Sequence, residues 1–142
     1  MGKRIARAGL AGFLIGILVL GLGGRLAMRL VAILIHQTTH FGFGATLGII
    51  VIGGVLGTLA GLAYGIMIER SVPMSATAKG ILYGTVLFVV LVLFQPPAIR
   101  AEVAAARDYW WAIVPLFWVV CLAYAVTLAT ALDRRSAQTI GV

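Results

Sequence analysis

The sequence predicts an all-α membrane protein with four transmembrane helices in a glycine-rich bundle, and three observations support this. Hydrophobic residues make up 62% of the chain and charged residues 11%, whereas soluble domains have about 45–50% and about 25%. Four apolar runs are long enough to cross a hydrocarbon core, which takes about 20 residues of helix. The alternating polarity of membrane-spanning strands does not occur in the sequence. The runs, which we expect to form a single domain over residues 1–142, cover residues 8–35, 45–68, 78–95 and 109–132.

The first run is longer than a membrane requires and carries a narrow polar stripe. Residues 8–35 would form about 42 Å of straight helix, so we expect a tilt, a bend at Gly21–Gly24, or a projection beyond the membrane. At about 100° per residue, Arg25, Arg29 and His36 lie within about 40° of one another. The rest of the helix surface around them is apolar. Interfacial helices have a broad polar face, so the narrow stripe is typical of a helix whose polar line faces protein.

Three interpretations of Arg25 and Arg29 are open. At the outer headgroup level, their side chains would reach lipid phosphate or pair with Glu102 and Asp108. Alternatively, they line an anion-attracting vestibule or a substrate site, because arginines in a membrane by default face a partner or a wet cavity. Contact with a partner protein is the third interpretation. Together with His36, these arginines are the candidate contacts for an anion or a lipid phosphate.

The second run has glycine at every fourth position, which predicts a ridge without side chains. Close backbone contact along such a ridge drives helix association in lipid, where the hydrophobic effect between helices is weak. This ridge, a possible glycine zipper, packs either within the chain or against a second copy. Its members are Gly53, Gly57, Gly61 and Gly65. Small residues have the same spacing in the other three runs: Ala8, Gly12 and Gly16; Ala76, Gly80 and Gly84; Ala123, Thr127 and Ala131.

The third and fourth runs are bounded by ordinary helix signals. Ser75 or Thr77 is expected to cap the third helix, and Pro96 and Pro97 end it. The stretch that follows is helix-forming, so a short outer helix is expected between the third and fourth spans. Pro115 is expected to kink the fourth helix unless that helix begins close to it.

Basic residues predict the orientation of the bundle. With the amino terminus inside, more Lys and Arg residues lie on the inner side than on the outer side, as the positive-inside rule requires. We therefore expect a multi-pass protein of the inner cell membrane with both termini in the cytoplasm. The net charge of +7 follows from this distribution, so no nucleic-acid partner is expected. The inner residues are Lys3, Arg4, Arg7, Arg70, Lys79, Arg134 and Arg135; the outer ones are Arg25, Arg29, Arg100 and Arg107.

No catalytic, cofactor or metal site is expected. The four acidic residues all lie at predicted loops or helix ends, which disfavours proton-coupled transport and acid–base catalysis. His36 and His40 have the spacing of a helical zinc motif, but Gln37 stands where the zincin motif has glutamate. The single cysteine, Cys121, excludes a disulfide within the chain.

These patterns predict a non-catalytic integral membrane protein that contacts the lipid bilayer. The function favoured first is that of an accessory or scaffold subunit, assembling with itself or with another membrane protein through its small-residue ridges. The alternative is a small oligomeric channel or anion transporter that uses Arg25 and Arg29. A membrane enzyme or redox protein using His36 and His40 is the third and weakest interpretation.

Overall fold

The computed structural model describes residues 2–34, 43–67, 74–94 and 107–140. Within these ranges the chain is almost entirely helical and contains no strand. A π-helical stretch, here called the π segment, joins the first two helices, and a 3₁₀ turn, Arg107–Tyr109, precedes the last helix. The elements in chain order are α1 (Gly2–Ile15), the π segment (Gly16–Gly23), α2 (Gly24–Leu34), α3 (Phe43–Met67), α4 (Ala76–Leu93) and α5 (Trp110–Ile140).

Four helical stretches are long and apolar enough to cross a membrane, which confirms the predicted fold class. Large apolar side chains are exposed along all four of them. Exposed apolar surface of this extent marks contact with a membrane or a partner, so the fold is that of a multi-pass membrane protein. The four stretches are Ile5–Leu34, Thr46–Ile66, Ala76–Leu93 and Trp110–Arg134.

The first span is one continuous helix that changes its hydrogen-bonding pattern midway. After α1, eight residues, Gly16–Gly23, are π-helical. At Gly24 the backbone N–H donates to the carbonyl oxygens of Leu20 and Gly21, and α-helical geometry resumes. The helix therefore continues past the Gly21–Gly24 stretch, where the sequence left a break or bend open.

The first span and α3 form an antiparallel pair whose backbones touch. A methyl group built on Gly16 would lie 2.5 Å from the carbonyl oxygen of Gly53 and 2.7 Å from Cα of Gly57. A methyl group on Gly61 would lie 2.5 Å from the carbonyl oxygen of Ala8, and one on Gly65 would lie 2.9 Å from the Ala8 Cβ. Only hydrogen fits at the closest of these crossings, so the α3 glycines are packed against the first span of the same chain.

α4 and α5 form a second antiparallel pair with contacts of the same kind. A methyl group on Gly80 would lie 2.6 Å from Cα of Val126, and one on Gly84 would lie 3.0 Å from Cα of Leu122. The amino end of α4 is capped as the sequence predicts, because the Ser75 hydroxyl accepts a hydrogen bond from the backbone N–H of Ala78. Glycines on α4 thus allow the larger residues of α5 to sit directly on its backbone.

On α5 the predicted small-residue face is wrong. Ala123 and Thr127 are exposed, whereas Cys121, Ala125 and Ala129 are buried. The buried set has the same four-residue spacing on a different side of the helix. Because lipid tails are as apolar as a neighbouring helix, a small-residue stripe facing lipid carries little penalty.

The two pairs meet across a layer of tyrosines, defined here as Tyr64 of α3, Tyr83 of α4 and Tyr124 of α5, all of which are buried. The rings of Tyr64 and Tyr83 are in T-shaped contact, with centroids 5.3 Å apart. The Tyr83 hydroxyl donates to the carbonyl oxygen of Ala60 at 2.6 Å, and that of Tyr124 donates to Gly57 at 2.7 Å. Both acceptors belong to α3, so the tyrosine layer ties the second pair to the backbone of the first.

Removing one of these hydroxyls tests how much the tyrosine layer contributes. We expect Tyr124→Phe to lower the free energy of unfolding by roughly 0.5–1.5 kcal/mol, the range for hydrogen bonds between membrane helices. Chemical unfolding in detergent micelles measures the change. Tyr109→Phe, a half-buried site outside the tyrosine layer, is the matched control and should change little. Equal losses in the two variants would show that the Tyr124 bond contributes nothing.

Candidate functional site

Several polar side chains within the spans are hydrogen-bonded to other groups of the bundle. Four threonine hydroxyls donate to the carbonyl oxygen one turn earlier, at 2.6–3.0 Å. The indole N–H of Trp118 donates to the hydroxyl of Thr85 at 3.3 Å. Such pairing is required in hydrocarbon, where no water satisfies a free polar group. The four threonines are Thr58, Thr85, Thr127 and Thr130.

Arg25, in the first turn of α2, differs from them. Across the described ranges, its Nε is the one buried side-chain nitrogen or oxygen that has no hydrogen-bond partner. The side chain as a whole is partly buried. Where other buried polar groups are satisfied, an unpaired donor calls for an explanation, and a functional role is one of the few available.

The contacts of the first pair place Arg25 level with the beginning of α3. A methyl group on Gly21 would lie 3.0 Å from Cα of Ile50. Because the pair is antiparallel, Arg25, four residues after Gly21, lies level with Thr46, four residues before Ile50. The apolar stretch of α3 begins at Thr46. We call this end of the bundle, where α2 ends and α3 and α5 begin, the outer end, following the predicted topology.

The contact with α5 gives a deeper position. Gly23 lies nearest to the Val120 side chain, 3.8 Å from a built methyl group. Val120 is ten residues after Trp110, the first residue of α5, which is about 15 Å along that helix. Arg25, two residues beyond Gly23, therefore lies below the tryptophans at the outer end of α5 and within the apolar part of that helix.

The other predicted site residues are distributed as follows. Arg29 lies one turn beyond Arg25 and is exposed. Asp108, in the 3₁₀ turn before α5, is exposed, and within the described ranges no ion pair joins it to Arg25. His36 and Glu102, like His40 and the expected short outer helix before Arg107, lie outside the described residues.

Two features of the outer end and the core were not predicted. The π segment directly precedes Arg25, and its sequence signal is a change of glycine spacing from four residues, Gly12 to Gly16, to five, Gly16 to Gly21. The tyrosine layer also went unpredicted, although a Tyr-Gly dipeptide occurs in both α3 and α4, at Tyr64 and Tyr83.

The part of the chain that the structure describes contains no candidate metal site, that is, no group of three or more His, Cys, Asp or Glu side chains able to hold a metal ion. In comparisons with known proteins, no family model, curated protein or solved structure matches the chain.

Proposed function

We propose that this protein is a small anion channel or transporter that binds its anion through Arg25 at the outer end, with Arg29 adding positive charge. The observation that carries the proposal is the buried, unpaired Nε of Arg25. A charged side chain within a membrane is costly and is by default functional. The guanidinium presents a planar fork of N–H donors that matches an oxyanion such as phosphate, so an anion would supply the missing partner.

The surroundings of Arg25 support an anion rather than a cation. The described acidic residues, Asp108 and Asp133, lie near the two ends of α5 and are exposed, so they do not neutralise the guanidinium from within. At the neighbouring end of α3, Gly44 and Gly48 are exposed, and built methyl groups there would meet no atom of the described residues within 4 Å. Among the described residues, an anion thus has both a positive contact and space to approach it.

The accessory-subunit function, which the sequence favours first, depends on small-residue ridges as assembly surfaces, above all the α3 ridge. The first span covers that ridge at Gly53, Gly57 and Gly61. Assembly through the α3 ridge would require separating the first pair, which leaves the exposed Ala123 and Thr127 on α5 as the small-residue surface for an accessory role. The anion function does not require the first pair to separate, and it involves no catalysis, metal or nucleic acid. We retain the prediction of a single domain in the inner membrane, with both termini in the cytoplasm.

Flux of chloride and of inorganic phosphate from liposomes that contain the purified protein tests the proposal. We expect Arg25→Met to reduce flux and anion affinity about ten- to a hundredfold, since hydrogen bonds to charged groups contribute about 1.5–3 kcal/mol. Arg25→Lys should retain part of both, because lysine keeps the charge but lacks the fork. The matched control is Arg134→Met, which removes one exposed charge at the opposite end and should leave flux unchanged. Wild-type protein without flux, or equal flux in Arg25→Met, would contradict the proposal.

A lipid headgroup and a free anion offer the same phosphate chemistry to Arg25. Melting temperatures in a nonionic detergent separate the two sources, with inorganic phosphate or short-chain phosphatidylglycerol added. Stabilisation by phosphate alone supports a free anion as cargo. Stabilisation by the lipid alone, with no flux, would show a lipid-binding site and overturn the transport function.

A further inference from the structure

We infer that the π segment positions Arg25, because its wide turns rotate α2 until Arg25 faces α3 instead of the lipid. The inference rests on the proposed anion function and assigns a positioning element to that site. The π segment covers eight residues, Gly16–Gly23. In most proteins π-helical structure is a single turn, frequently at a functional site, so a segment of this length calls for a reason.

Contacts with α3 show the change in helical spacing. Up to the start of the π segment the residues that contact α3 are four apart, at Ala8, Gly12 and Gly16. The next contact residue, Gly21, follows after five. A methyl group on Gly53 would lie 2.7 Å from Cα of Gly21 and 3.0 Å from the carbonyl oxygen of Gly16, so both residues face α3. In an α-helix, five residues at about 100° each would place Gly21 about 140° from Gly16. The i→i+5 pattern of a π-helix, at roughly 80° per residue, brings them within about 40°.

The same rotation applies to Arg25, nine residues after Gly16. In an uninterrupted α-helix Arg25 would lie about 180° from Gly16, on the side away from α3. With the π segment it lies about 40° from Gly16 and directly beyond Gly21. Burial agrees with this direction, since the Nε of Arg25 is buried while the next side chain, Leu26, is 62% exposed.

The π segment thus reconciles two requirements on one helix. Gly12 and Gly16 must face α3 to allow backbone contact, and Arg25 must face the same side to meet an anion between α2 and α3. A regular α-helix of this sequence satisfies only one of these. The extra residue per turn in the π segment lets the arginines continue the line of the glycines.

Disulfide cross-linking reads the direction of Arg25 without any anion. In a Cys121→Ala background, the pair Arg25→Cys with Thr46→Cys should cross-link at least about tenfold faster than Leu26→Cys with Thr46→Cys. The reason is that a disulfide needs Cα atoms within about 7 Å and Cβ atoms turned toward each other. Faster cross-linking from Leu26→Cys overturns the inference, whatever the flux experiments show. The expected pattern in a protein without anion flux would leave the π segment's role intact while removing the proposed function.

Two length variants connect the π segment to binding. Deleting Leu18, which is 61% exposed, shortens the spacing between Gly16 and Gly21 from five residues to four. A regular α-helix then keeps both Gly21 and Arg25 facing α3. We expect this variant to retain stabilisation by inorganic phosphate. Inserting one alanine between Gly24 and Arg25 keeps the glycine contacts but turns Arg25 by about 100°, and phosphate affinity should fall at least about tenfold, or 1.4 kcal/mol. Wild-type affinity in a folded insertion variant would overturn the inference.

Discussion

Gly57→Leu is expected to lower the free energy of unfolding by at least about 3 kcal/mol, because overpacking costs about 1–3 kcal/mol even where neighbouring side chains can move. At Gly57 the neighbours are backbone atoms. A methyl group there would lie 2.6 Å from Cα of Gly16 and in contact with the carbonyl oxygen of Gly12. The first span and α3 would have to separate, and the bond from the Tyr124 hydroxyl to the Gly57 carbonyl would be displaced with them.

Thermal unfolding in detergent, followed by near-ultraviolet circular dichroism, measures this loss. Gly48→Leu is the matched control, because it makes the same change on the same helix where a built methyl group meets no described atom within 4 Å. We expect that control to lie within about 0.5 kcal/mol of the wild type, as is usual for exposed positions. A Gly57→Leu protein as stable as Gly48→Leu would show that the first span does not pack on α3 at Gly57.

Arg25→Met is expected to change stability in the opposite direction. Without an anion, the variant should be more stable than the wild type by roughly 1–3 kcal/mol, the cost of a buried donor left unpaired. Methionine is flexible and apolar, so it fills the space of the arginine stem. The wild type thus gives up stability to keep a binding group, as functional sites often do.

Adding inorganic phosphate should reverse the ranking of these two proteins. When its concentration is about a hundred times its dissociation constant, a ligand stabilises the folded state by about 2.7 kcal/mol. Only the wild type has the guanidinium that binds phosphate. Melting temperatures measured across a phosphate titration test both halves of the prediction. An anion-free Arg25→Met protein that is less stable than the wild type would mean that Arg25 already has a partner in the folded chain.

The helices themselves were predictable from the sequence because the membrane dictates their length and polarity. The predicted spans 45–68 and 109–132 correspond to Thr46–Ile66 and Trp110–Arg134. The Ser75 cap was predictable too, since a hydroxyl before an apolar run has an orphan backbone N–H within reach. These features depend on local sequence and on the thickness of the bilayer.

The face that each helix buries was harder to predict. α5 has two small-residue stripes of equal spacing, and only contact with α4 selects the one containing Cys121 and Ala125. The tyrosine layer is similar, because tyrosine in a membrane protein usually indicates the interface with water. Tyr83 and Tyr124 are tolerated in the core because α3 offers them carbonyl acceptors, and no local pattern reveals those acceptors.

The candidate site was only half predictable. The sequence indicates Arg25 and Arg29 as a stripe under the assumption of regular α-helical rotation. In the structure the two arginines still lie one turn apart on the same helix. Their direction relative to Gly16 differs from that in a regular α-helix. That change arises from the π segment, whose signal in the sequence is only the five-residue step from Gly16 to Gly21.

The arrangement of tight pairs also has a consequence for biosynthesis. Each pair consists of spans that follow one another in the chain, so the contacts that bring backbones together are complete for the first pair once Met67 has been synthesised. Domains fold from the amino terminus as the ribosome proceeds, and membrane helices associate after each has been inserted. The nascent chain can therefore leave the insertion machinery one hairpin at a time, and the tyrosine hydroxyls join the halves only after the second hairpin has entered the bilayer.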